Sequence, residues 1–143
     1  MAARMEPLDF SKRAPRGPRE KLDGLVMLPR TIDKFRASLP GGVLNGYRID
    51  GVSRRLLGWL GVDETEMQAT VAAAASDDDV AKWVRARTDA SAYDSYNERM
   101  ENRSLDDIED KTNINNLYPW LAQSGIKKIF DIIEEDDRRT FKA

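Results

Sequence analysis

The amino-acid sequence predicts an all-α (mainly helical) protein, a compact orthogonal multi-helix bundle with an extended N-terminal arm. Three observations predict it. Leu22, Leu25, Leu28, Ile32, Phe35 and Leu39 recur at helical spacing. Asp63 with Glu66, and Ser76 with Asp79, have the spacing of helix N-terminal capping boxes. Strand signals are weak throughout, with no internal repeat and no low-complexity tract. The 143 residues suit one domain with a real core. Residues 1–20 are expected to form the arm, packed on the body, and residues 21–143 a single helical domain of some six or seven helices.

In the arm, Pro7, Pro15, Pro18 and Gly17 rule out regular helix, while Leu8 and Phe10 give it something to bury. Next comes the longest apolar stripe, Gly24 to Leu39, interrupted by Pro29. Either the helix starts there, with proline in its first turn, or a longer helix from about Glu20 is kinked there. The stripe runs through the proline and favours the kinked helix. This helix is expected to be the hub of the fold, ended by Pro40-Gly41-Gly42. Residues 43–52 hold Asn45-Gly46 and Asp50-Gly51 and predict a turn-rich connection or short hairpin, with Asp50 as a candidate cap for a helix from Val52 to Leu60 that Gly61 closes.

Capped helices follow, from Asp63 through Ala73 and from Ser76 to about Arg87. Asp77, Asp78 and Asp79 read as first-turn acids that complement the helix dipole rather than as a metal cluster. Residues 89–103 carry Tyr93, Tyr96 and Met100 on one stripe; Ser104 caps a short helix to Glu109. Residues 110–116 look polar and turn-like, and Leu117 to Leu121 reads as an aromatic loop or short helix. After Gly125, residues Ile126, Ile129, Phe130, Ile132 and Ile133 form a last apolar face. That helix ends in Glu134 to Asp137, acids that oppose the dipole and so either meet a basic neighbour or mark an early stop.

Composition closes several chemistries. Cysteine and histidine are both absent, which excludes disulfides, thiolate nucleophiles, imidazole bases and zinc sites with Cys or His ligands. Proton chemistry would fall to Asp, Glu, Lys or Tyr. No phosphate-binding loop, dinucleotide fingerprint or nucleophile elbow occurs, so no cofactor and no metal are expected. No apolar run has the length of a membrane span, and the first residues lack a signal core; the chain reads as cytoplasmic. The net charge is -2, but residues 1–60 carry 12 basic against 6 acidic side chains and residues 61–143 carry 11 against 19. Such halves either attract one another or leave a basic face for an anion. An acidic pI near 5.3 argues against a duplex-DNA binder.

One polar constellation stands out. Arg30, Asp33, Lys34 and Arg36 on the central helix are placed to meet Arg16 and Arg19 from the arm, with Tyr47 nearby. The favoured reading is a structural network in which Asp33 receives an arginine and locks the arm, because a charge out of water needs a partner. The functional reading makes these residues a pocket in which arginine forks grip a carboxylate or phosphate.

The arm with Pro15-Arg16 and Pro18-Arg19, the phrase Leu28-Pro29-Arg30 followed by Ile32-Asp33-Lys34 and Arg36, the run from Ser76 to Val84 ending Trp83-Val84, and the tail from Ile129 to Phe141 together resemble the bacterial domain-of-unknown-function family DUF5069. The resemblance spans nearly the whole chain. It implies a single intact domain; it implies no activity and no catalytic residues.

Two functions follow as expectations. The first is a non-catalytic binding or interaction module for a protein partner or a small anionic ligand. The alternative is a small enzyme without His or Cys, using Asp, Tyr, Lys or Arg on an anionic small-molecule substrate, for which any metal would have to be a hard, oxygen-liganded ion such as magnesium. A deep pocket lined by Arg30, Lys34 and Tyr47 and holding a carboxylate of raised pKa would favour the enzyme; a flat apolar patch rimmed by charge would favour a protein partner.

Overall fold

The computed structural model describes residues 4–49 and 51–141. It is all-α: among the described residues there are eight α-helices and a single two-stranded hairpin. Helix α1, Leu28–Ala37, is the hub. Every residue in it except Arg36 is buried. It packs on α2 (Val52–Leu60), α3 (Glu64–Ala73), α4 (Asp77–Arg85) and the hairpin. Leu28, Ile32 and Phe35 are sealed from solvent, and burying side chains of this size contributes about 1.5–3 kcal/mol each. The hydroxyls of Thr31 and Ser53, both fully buried, meet at 3.0 Å and tie α1 to α2.

The kinked helix from Glu20 does not form. Residues Lys21–Leu22 (β1) and Leu25–Val26 (β2) pair antiparallel, and α1 starts at Leu28 with Pro29 in its first turn. Asp23 and Gly24 take φ of 54° and 78°, the doubly left-handed turn that suits a two-residue hairpin and that Asp-Gly favours. Asn97 fixes it: its Oδ1 accepts from the Val26 amide at 2.9 Å and its Nδ2 donates to the Gly24 carbonyl at 2.8 Å. Proline breaks nothing there, because a first-turn amide has no helical acceptor.

The arm is laced onto α1 by backbone hydrogen bonds. Leu8 donates to the Arg36 carbonyl, Val43 to Leu8, Phe10 to Val43, and Met27 to Pro18. Leu8, Phe10 and Ala37 form a small second core flanked by Leu44 and Tyr47. Residues 43–49 form no hairpin among the described residues; Asn45 and Gly46 make a turn, and Val43 bridges Asp9 of the arm instead. Asp50, the candidate cap of α2, lies outside the described residues, and Gly51 occupies the cap position.

Asp63 and Ser76 accept from the Glu66 and Asp79 amides as N-caps of α3 and α4. A 3-10 turn at Ala90–Ala92 leads into α5, Tyr93–Asn102, whose inner face carries Tyr93, Asn97 and Met100. A second 3-10 turn, Leu105–Asp107, has a full capping box between Ser104 and Asp107. Residues 110–116 are not a turn. Asp110 accepts from the Asn113 amide and opens α6, Lys111–Leu117. A short α7, Leu121–Ser124, ends at Gly125 with φ of 73°. Finally α8, Ile129–Thr140, buries Ile129, Phe130, Ile132 and Ile133 and runs past its acids to end with Arg138 and Arg139 in the last turn.

Candidate functional site

The charged residues of α1 divide between two sites on either side of the helix. On one side Asp33 clamps the arm. It accepts from the Arg16 backbone amide at 2.8 Å and from the Arg16 guanidinium at 2.9 and 3.1 Å. The same guanidinium reaches Asp77 on α4 at 2.7 Å. Burial works against the Arg16 charge, yet its hydrogen bonds to Asp77 and Asp33 outweigh that and hold its pKa above the ordinary arginine value. Arg19 joins the arm to the chain's second half through Glu101 at 3.1 Å, Asp131 at 2.9 Å and Glu134. Arg36 Nε donates to the Glu6 carbonyl at 2.8 Å. Arg16, Arg19, Asp33 and Arg36 thus staple the arm. The charge asymmetry of the chain is in large part spent on attraction between its halves.

On the other side, Arg30, Lys34 and Tyr47 line a cavity of about 500 Å³. Arg30 is 3% exposed. Its guanidinium grips Asp137 of α8 with two bonds, 2.7 and 3.0 Å, and also donates to the Arg16 carbonyl at 3.2 Å. The Tyr47 hydroxyl donates to the same Asp137 at 2.8 Å. Burial, and then the Asp137 charge, push the phenol pKa well up, so Tyr47 stays protonated across the neutral range. The Arg30 guanidinium also lies 5.6 Å from the Tyr47 ring centroid.

Three more cations complete the wall: Arg48, Arg55 on α2, and Arg103 at the end of α5. Arg103 is set firmly by its backbone. Its carbonyl accepts from Ile129 at 3.0 Å, and the next residue, Ser104, bridges Lys128. Among the described residues neither Arg55 nor Arg103 makes a side-chain hydrogen bond or ion pair. Burial and the neighbouring Arg55 charge depress the Arg103 pKa, and Asp107 only partly offsets them. The floor is apolar: Val52, Ile108, Ile114 and the α8 stripe of Ile129, Ile132 and Ile133.

The stripe ends on an acid. Asp136 follows Ile129, Ile132 and Ile133 at helical spacing, lines the same cavity and is half-buried. Its carboxylate makes no hydrogen bond or ion pair among the described residues. Burial and then the adjacent Asp137 charge raise its pKa, with Arg30 opposing. Ile129 contacts Arg103, and Asp136 lies two turns further on, about 10 Å along the axis at 1.5 Å per residue. The Arg103 backbone and Asp136 thus lie about two helical turns apart along α8, with the isoleucine stripe between them and the Arg30–Asp137–Tyr47 cluster adjoining Asp136 in the chain.

Of the sequence candidates, Arg30, Lys34 and Tyr47 come together at this cavity, while Arg16, Arg19, Asp33 and Arg36 do not reach it. Sequence reasoning missed Arg48, Arg55, Arg103 and Asp136. Asp136 was readable in principle, as the polar residue that continues the apolar stripe of α8. Arg55 and Arg103 carried no local signal, since they meet only through the fold. Among the described residues no group of acids is arranged to hold a metal ion, and no helix is long and apolar enough to cross a membrane.

Comparison with curated proteins finds no match. A family model does match, over residues 12–139, and so covers the Arg16–Arg19 part of the arm, the hub helix and the cavity-lining residues. The chain belongs to the domain of unknown function family DUF5069.

Proposed function

We propose that this protein is a binding module whose cavity takes a small anionic ligand with an apolar body. One observation carries the proposal: Arg55 and Arg103 share a preformed cavity and make no side-chain hydrogen bond or ion pair among the described residues, with Asp107 only partly offsetting their repulsion, whereas Arg16, Arg19 and Arg30 are each paired with carboxylates. Two unpaired guanidinium groups repel one another until an anion bridges them, and a carboxylate or phosphate fits the guanidinium fork. The isoleucine floor supplies the apolar contact typical of small-molecule sites. The exposed large apolar side chains among the described residues, Val43 and Leu117, lie on separate elements. That favours a small ligand over a protein partner, which would want a continuous patch. Titration calorimetry with octanoate tests the idea. Binding that is lost in Arg103→Ala supports it; equal binding by the variant refutes it.

A second reading has its own support. A cavity lined by Arg30, Lys34 and Tyr47 that holds a carboxylate of raised pKa, Asp136, is the arrangement that favours a small enzyme on an anionic substrate. In that case Asp136 is the proton-moving group. Incubation with a small-molecule extract, followed by mass spectrometry, separates the two: an anionic compound consumed by the wild type but not by Asp136→Asn points to catalysis.

We also propose a bacterial, cytoplasmic setting, with residues 1–20 as an arm on a single helical domain. The strongly charged composition and the family match across the boundary between arm and body support this; fractionation of the source cell tests the location.

A further inference from the structure

We infer that the ligand is double-headed: an elongated ω-amino acid whose carboxylate bridges Arg55 and Arg103 and whose ammonium is received by Asp136. This deepens the anion-binding reading and rests on it. Other charged groups at the cavity are engaged within the protein. Arg30 is held by Asp137 and the Arg16 carbonyl, and Asp110 caps α6. Arg55, Arg103 and Asp136 remain without a hydrogen bond or ion pair among the described residues. A ligand complementary to the cavity must answer both signs, since Arg103 and Asp136 are only partly exposed and such a charge left unpaired on binding is penalised.

The geometry sets the spacing. The Arg103 carbonyl is bonded to the Ile129 amide, and Asp136 stands about 10 Å further along α8. An α-amino acid, with both charged groups on one carbon, spans only one end. A chain of several methylenes reaches both and lies against Ile129, Ile132 and Ile133, each methylene contributing about 0.8 kcal/mol when buried. Asp136 is well suited to the ammonium rather than to a second anion: it is acidic, half-buried, and next to another carboxylate, Asp137. Arg30, whose charge acts on Asp136, is already paired with Asp137.

The experiment measures the affinity of the full chain for octanoate, ω-aminooctanoate and octylamine by titration calorimetry at neutral pH. ω-Aminooctanoate should bind about tenfold tighter than octanoate, the return for one charge-assisted pair. In Asp136→Asn that advantage should vanish while octanoate still binds at least as tightly as to the wild type, which also shows that the variant is folded. In Arg103→Ala both acids should lose affinity. If octanoate binds through Arg103 but ω-aminooctanoate binds no better, the double-headed ligand is refuted and the anion site stands. If neither acid binds, or if Arg103→Ala is indifferent, the anion site itself falls and takes this inference with it.

Discussion

Arg30 on α1 and Asp137 on α8 meet as a two-pronged ion pair, Nη1 to Oδ2 at 2.7 Å and Nη2 to Oδ1 at 3.0 Å. The carboxylate accepts a third bond from Tyr47. The pair is therefore both a wall of the cavity and the link between hub helix and C-terminal helix. Asp137→Ala strands a cation that is 3% exposed and is expected to cost about 3–5 kcal/mol. Replacing both partners, Arg30→Met with Asp137→Leu, should recover most of that loss, because no charge is left buried. Urea unfolding of the three proteins decides it. A double variant no more stable than the single one would show that charge compensation is not what the pair supplies.

Asp33 gives the second prediction. It is 1% exposed and accepts both the backbone and the guanidinium of Arg16. Asp33→Ala should cost roughly 3 kcal/mol and loosen the arm, so that trypsin cuts after Arg13 and Arg16 long before it cuts the body. A variant as stable and as resistant as the wild type would sink the assignment of Asp33 as the arm's lock.

How much of this was legible beforehand depends on how local each signal is. The hub helix, its inward ionic side and the caps at Asp63, Ser76 and Ser104 rest on spacings of three and four residues, and all of them form. The hairpin at 21–26 stayed hidden because Leu22 and Leu25 also satisfy helical spacing, and two-residue strands show no alternation. The choice is made by Asn97, more than seventy residues away. Helix α6 was hidden for the opposite reason: none of its residues is buried, so only the Asp110 cap announces it. The cavity draws Arg55, Arg103 and Asp136 from three separate helices or their ends, which no single stretch of sequence can report.

Two glycines in neighbouring turns should respond differently to alanine. A Cβ on Gly42 would lie 2.4 Å from the Ala37 carbonyl oxygen, backbone that cannot step aside. Gly46 has φ of 84° and open space around it. Gly46→Ala should cost only the left-handed backbone penalty, about 1–2 kcal/mol, whereas Gly42→Ala should cost more and disturb the seat of the arm on Ala37. Thermal unfolding ranks them, and the reverse order would contradict the packing of Gly42 on the end of α1.

Arg103 separates stability from function. Its guanidinium makes no hydrogen bond or ion pair among the described residues, and the Arg55 repulsion on it is only partly offset by Asp107. Arg103→Ala should leave the ligand-free melting temperature unchanged or slightly higher, since removal of a surface-accessible unpaired charge rarely destabilises. The melting-temperature rise that octanoate gives the wild type by mass action should disappear. A large loss of stability without ligand would mean that Arg103 has a structural partner.

Asp136 makes a prediction in pH. Its folded pKa is raised, by burial first and Asp137 second, with Arg30 opposing; Lys34 and Tyr47 line the same cavity. A raised acid binds its proton more tightly folded than unfolded. Its contribution is therefore fully present below the ordinary carboxylate pKa, about 3.9, and is lost as pH climbs through the folded value. Asp23 and Glu135 act in the opposite sense. Arg85 lowers the Asp23 pKa, and Arg138, with Arg139 assisting, brings Glu135 down to about 2. Both favour the fold above the ordinary carboxylate range and lose that effect as pH falls. Subtracting the stability curve of Asp136→Asn from that of the wild type isolates the one group. The difference should fall steadily from pH 4 upward and level off once Asp136 is ionised. A difference that is flat with pH, or that rises, would show that the carboxylate is not held against its charge, and the enzyme reading would lose its proton-moving acid.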